Sequence, residues 1–147
     1  IGWAAVTNSV DLTAWALFLI LFMWQPPHFY ALAIRRVEDY RRAGVPMLPV
    51  VKGIGATKGQ TLLFTVLLLA SSLIPFWTGA LGWFYLVVAV GLGIPYIIFA
   101  WQGFYTKEDQ EIKWANKMFV YSLIYLTAIL VVMNLDVLIR DLGELLF

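Results

Sequence analysis

The chain predicts an all-α integral membrane fold with four transmembrane helices. Three observations carry that expectation: its apolarity, the length of its apolar runs and the placement of its positive charge. Of 147 residues, 62% are hydrophobic and 13% charged, with a mean hydropathy of +0.83. A soluble domain is usually about half apolar and about a quarter charged, so lipid must be part of this chain's solvent. No cysteine is present, which excludes disulfides, thiolate metal sites and a cysteine nucleophile. A single histidine excludes zinc sites built on paired histidines.

A bilayer core of roughly 30 Å takes about 20 mostly apolar residues in a helix. The first run that qualifies is 12–34, with Pro26-Pro27 expected to interrupt it. The second is 59–77 and the third is 82–103, where Gly91, Gly93 and Pro95 either break the middle or serve helix packing and bending alone, since small residues let helices approach closely in lipid. The fourth is 115–137. These runs are far longer than a barrel strand and lack strict alternation. Trp3, Trp24, Trp77, Trp83, Trp101 and Trp114 lie near the ends of runs, where either interfacial belts or simple packing would use them.

Positive charge sets the orientation. Arg35, Arg36, Arg41, Arg42, Lys52 and Lys58 fall between the first and second runs, and Lys107, Lys113 and Lys117 between the third and fourth. Of the ten basic residues only Arg140 lies elsewhere. Basic loops stay in the cytoplasm, so loops 35–58 and 104–114 are expected there and both ends of the chain outside. Asp11, Asp136, Asp141 and Glu144 are then expected outside, with the other five acids inside. The chain begins at Ile1 with no charged stretch before the first apolar run, so it reads as a single membrane domain, 1–147, from within a longer protein. No nucleic-acid partner is expected.

The polar chemistry is concentrated in WQPPHFYALAIRRVEDYRRAGVPMLPVVKGIGATKG, from Trp24 to Gly59. Two consecutive prolines remove two backbone donors. Gln25 and His28 beside them suggest either a break lining a cavity or a simple kink. If helix continues past Ile34, Arg35, Glu38, Asp39 and Arg42 share one face at spacings of three and four. Such a face suits a magnesium diphosphate, because carboxylate oxygens hold Mg²⁺ and arginines grip phosphate bidentately. An interfacial salt-bridge cluster is the alternative. Gly44, Pro46, Met47 and Pro49 make a stiff apolar segment inside this charged loop, and Lys52 and Lys58 after it form a second basic wall or anchor the next helix.

PPHFYALAIRRVEDYRRAGVPMLPVVKG closely resembles the protoheme IX farnesyltransferases of the UbiA superfamily of intramembrane prenyltransferases. The resemblance covers essentially the whole chain but only the C-terminal half of such enzymes. It implies the last four helices of a nine-helix bundle in a bacterial inner membrane, and transfer of farnesyl from farnesyl diphosphate to a vinyl group of haem B, giving haem O. It also implies two polar Mg²⁺–diphosphate motifs. The Asn- and Asp-rich first motif is absent here, so a partner N-terminal half is implied and the chain alone is expected to be inactive. Glu38 and Asp39, with Gly44 five residues on, take the place of the second motif, though they are less acidic than in other relatives. Arg35, Arg36, Arg42 and Lys52 then resemble diphosphate grips, Gly44, Pro46 and Met47 a substrate loop, and Phe29, Tyr30 and Tyr40 cavity walls. His28 and Tyr40 are the implied catalytic candidates. His28 suits a haem-iron ligand, a propionate donor, a base or a structural donor closing the Pro-Pro break. A UbiA-type enzyme with a quinone-precursor acceptor and a transporter subunit are the alternatives. A transporter would not depend on Mg²⁺.

Overall fold

Residues 2–146 are described in the computed structural model, without the side chains of residues 3, 4, 7 and 143–146. The expectations on Trp3 and Glu144 concern side chains outside the described residues. The described residues form helices joined by short turns and irregular segments, with no strand among them. A short α1 (Gly2–Thr7) leads to α2 (Leu12–Arg35), α3 (Val37–Arg42), α4 (Leu48–Val51), α5 (Gly53–Trp77), α6 (Trp83–Gln102) and α7 (Glu111–Leu146). Four of these, the α2, α5, α6 and α7 regions, are long and apolar enough to cross a bilayer. The chain is an integral membrane protein.

The four long helices close a ring, α2 packing on α5 and α7, and α6 on the same two. Only 28–33% of each apolar span is buried inside the bundle. Trp15, Phe18, Phe22, Val87, Ile98 and Ile124 are exposed; lipid solvates such side chains at little cost, whereas water would not. Lipid supplies no hydrophobic drive between helices, so small side chains, close packing and hydrogen bonds hold the ring. A stripe on α5 does this with Thr57, Thr61, Thr65 and Ser72, all buried. Their hydroxyls bond back to carbonyls four residues earlier, as in Thr61 to Thr57 (2.8 Å) and Ser72 to Leu68 (2.9 Å). Ser72 Oγ also meets Tyr125 Oη of α7 at 2.8 Å, and Tyr85 Oη of α6 donates to the Ser72 carbonyl at 2.8 Å.

The expected interruption of α2 is absent, and in α6 the packing reading holds. α2 runs unbroken through Pro26 and Pro27, and α6 through Gly91, Gly93 and Pro95. Proline's fixed φ is itself helical, and what is lost is a donor and some steric room. In α2, packing overrides that loss: Pro27 is buried and Trp24 is tied to α7. In α6, Gly93 serves the close approach expected of small residues, since a Cβ there would meet Leu69 Cδ1 of α5 at 2.5 Å.

At the end opposite the charged segment, α7 holds the α5–α6 turn. Asp136, 2% exposed, accepts from the backbone N–H groups of Gly82 (2.6 Å) and Tyr85 (3.0 Å), capping α6 from another helix. Arg140 donates to the carbonyls of Gly79 (3.2 Å) and Ala80 (3.1 Å).

Candidate active site

The segment expected as a loop over 35–58 is mostly helix. α2 ends at Arg35, Arg36 leaves helical geometry (φ −116°), and α3 restarts at Val37. Gly44 then closes α3 with φ +68°, a left-handed conformation that glycine adopts without strain. Val45 N donates to the Tyr40 carbonyl (3.0 Å) and Gly44 N to that of Arg41 (3.2 Å), the paired bonds of a Schellman cap. Pro46 follows, with no N–H to donate back to the carbonyls of α3. The Met47 carbonyl accepts from Val50 N (2.9 Å) and Val51 N (3.0 Å) to start α4. Gly53, at φ +81°, opens α5 directly after Lys52. Gly44, Pro46 and Met47 thus shape the segment through their backbones.

The expected single charged face is not formed, because the turn at Arg36 takes Arg35 off the helix that carries Glu38, Asp39 and Arg42. Arg36 pairs with Asp39 at 3.2 Å and Arg41 with Glu38, each three residues apart and each more than half exposed. Arg42 ends α3 and Lys52 ends α4, both exposed, while Tyr40 is half-buried. Exposed pairs like these contribute about 0–1 kcal/mol, so a diphosphate can take over the arginines at small cost. Among the described residues no three His, Asp or Glu side chains gather as a metal cage. Two neighbouring carboxylates still fit Mg²⁺, which commonly takes one or two protein ligands and the rest from water and phosphate.

Lys58 does not belong to the basic wall. It lies 6% exposed, with Nζ 2.6 Å from Glu111 Oε1 at the start of α7 and 5.8 Å over the Trp114 ring. Stripping one partner from a buried pair costs about 3–5 kcal/mol, which commits Lys58 to joining α5 and α7.

His28 lies in α2 about two turns before Arg35, and α7 links the two. Its Nδ1 is 2.7 Å from Ser122 Oγ. Its ring stacks on Trp24 (4.6 Å, 20°) and on Phe119 (4.6 Å, 27°), and meets Phe29 edge-on at 5.6 Å. Arg35 Cζ sits 4.5 Å over the same Phe119 ring. Trp24 is fixed in turn by its Nε1, 2.7 Å from the Ser122 carbonyl. Tyr30 instead packs edge-on to Phe64 of α5 at 6.4 Å. Phe119, Ser122 and Glu111 were not singled out from sequence. The only signal was a polar Ser122 in an apolar run, and its partner lies 94 residues away.

Residues 1–123 match the UbiA prenyltransferase family. The chain belongs to that family. It is 49% identical over 133 residues to a protoheme IX farnesyltransferase of Bacillus pumilus, which covers 90% of this chain and 42% of that protein. It is 47% identical over 137 residues to the protoheme IX farnesyltransferase of Symbiobacterium thermophilum, covering 93% and 46%. A third relative of that name, from Alkalihalophilus pseudofirmus, is 51% identical over 135 residues, covering 90% and 41%. The chain therefore spans less than half the length of these curated relatives. No solved structure matches it. As a UbiA-family member it carries the PPHF and EDY…AGVPMLP segments on α2 and on the α3–α4 connection.

Proposed function

We propose that this chain supplies the C-terminal half of a haem farnesyltransferase, which moves farnesyl from farnesyl diphosphate to a vinyl group of haem B and yields haem O. The observation that carries the reading is 47–51% identity to protoheme IX farnesyltransferases over at least 90% of the chain. α3, α4 and the α6–α7 connection face the cytoplasm of a bacterial inner membrane, and the N-terminal half brings the first Asn- and Asp-rich motif.

In this reading Arg35, Arg36, Arg42 and Lys52 bind the diphosphate oxygens, and Arg36 exchanges Asp39 for phosphate. Glu38 and Asp39 would hold Mg²⁺, which adds positive charge against the diphosphate when bound. The C1–O bond of farnesyl diphosphate breaks and diphosphate leaves with the electron pair, stabilised by these cations as its charge develops. The vinyl π pair of haem B forms the new C–C bond to C1. Water adds to the carbocation left beside the porphyrin and loses a proton, giving a hydroxyethylfarnesyl chain. Phe29, Tyr30 and Tyr40 wall the cavity against early water, and the Gly44–Met47 segment shapes its rim. His28 contacts the haem.

Acceptor competition tests the reading. With farnesyl diphosphate and Mg²⁺, the full-length protein is expected to prenylate haem B and to ignore an aromatic quinone precursor. Preference for the quinone precursor would move it to another branch of the family, and Mg²⁺-independent solute flux without prenyl transfer would make it a transporter.

A further inference from the structure

We infer that Ser122 is a positioning residue that fixes His28 as its Nδ1–H tautomer and so presents the Nε2 lone pair as a single nitrogen ligand for the iron of the haem substrate. The inference rests on the haem reading above and deepens it. A serine hydroxyl has one hydrogen, and the Phe119 carbonyl 2.6 Å from Ser122 Oγ can only accept, so it draws that hydrogen to itself. Its oxygen can then only accept from His28 Nδ1, 2.7 Å away. The proton of a neutral imidazole is thereby placed on Nδ1, and Nε2 is left with its lone pair.

The rest of the ring is equally constrained. Trp24 and Phe119 both lie nearly parallel to it at 4.6 Å, so they cover opposite faces and leave only the edges. Ser122 takes the Nδ1 edge and Phe29 packs edge-on at 5.6 Å, so Nε2 lies on the rim away from Ser122. Trp24 is held by the backbone of the same serine. An acceptor for the far N–H, commonly a carboxylate, backbone carbonyl or water, is the usual means of orienting a metal-bound histidine, and the Ser122 hydroxyl oxygen takes that place here. No second and third ligand accompany His28 among the described residues. That suits a metal which arrives with four nitrogens of its own, as haem iron does, and not a free ion.

The test uses the full-length protein without farnesyl diphosphate. Binding of haem B and of metal-free protoporphyrin IX is measured for the wild type, Ser122→Ala and Ser122→Thr. Ser122→Ala is expected to weaken haem B binding about 10- to 100-fold and to shift its Soret band, with protoporphyrin binding unchanged. Ser122→Thr, which keeps the hydroxyl, restores the haem affinity. Equal loss for both porphyrins, or unchanged haem affinity in Ser122→Ala, overturns the inference. A second readout is ¹⁵N-histidine labelling of the haem-free protein, with the His28 signal assigned by its loss in His28→Asn. An Nδ1–H tautomer in the wild type that is lost in Ser122→Ala supports the inference, and an Nε2–H tautomer in the wild type overturns it. Normal farnesyl transfer with either overturning result sinks this inference alone. Porphyrin binding as expected without any farnesyl transfer sinks the functional reading instead.

Discussion

The site's residues divide into those held by packing and those held weakly. His28 is the former, clamped by two rings and a serine, and His28→Ala is expected to abolish haem O formation while the protein still inserts in the membrane. Wild-type turnover in that variant would remove His28 from the chemistry. Asp39 is the latter, exposed and paired only with Arg36. Losing one charged contact of about 1.5–3 kcal/mol predicts roughly 10- to 100-fold more Mg²⁺ for half-maximal rate in Asp39→Asn; an unchanged Mg²⁺ titration would place Asp39 away from the metal. At this scale the sequence was legible where chemistry repeats locally. The charged cluster and the polar His28 in an apolar run both stood out. What it hid were partners distant in sequence. Lys58 is compatible in sequence with a basic wall or an anchor for the next helix, and Glu111, 53 residues on, decides for the anchor.

Helices were legible because a 20-residue apolar run in lipid has few alternatives to helix. Pro26-Pro27 did not interrupt α2, because lipid with tight packing outweighs a local backbone preference, whereas Gly93 of α6 serves the close packing that small residues allow. The fixed face of 35, 38, 39 and 42 failed on a single turn at Arg36, which no periodicity announces. Gly103 and Gly93 carry a prediction about packing. A Cβ on Gly103 would lie 2.5 Å from Cζ2 of the Trp114 ring, itself held by its Nε1 at 2.8 Å from the Phe99 carbonyl. A Cβ on Gly93 meets the flexible end of Leu69. Overpacking costs about 1–3 kcal/mol, so thermal unfolding in detergent should show Gly103→Ala as the more damaging of the two; the reverse order would mean that Trp114 yields more easily than Leu69. The α5–α7 junction carries another. Glu111→Gln should destabilise strongly, and adding Lys58→Met to it should recover most of the loss, because an unpaired buried charge costs more than a missing pair. No recovery in the double variant would show that the pair contributes through more than charge balance.

At the scale of the whole molecule, topology carries a prediction of its own. The chain contains no native cysteine, so single cysteines report orientation cleanly: Lys52→Cys should react with an impermeant reagent only from the cytoplasmic side and Thr78→Cys only from the other. Labelling from the same side would refute the four-span topology. Most of the outer surface of the ring is apolar, and the relatives are more than twice as long as the segment they share with this chain. The central claim is haem farnesylation shared between this chain and an N-terminal half, and it is tested most directly by the mass of the product. Incubated with haem B, farnesyl diphosphate and Mg²⁺, the full-length protein is expected to give a porphyrin heavier than haem B by one farnesyl group and one hydroxyl, with release of diphosphate. Haem B recovered unchanged beside an active prenyl transfer to another acceptor would contradict the account.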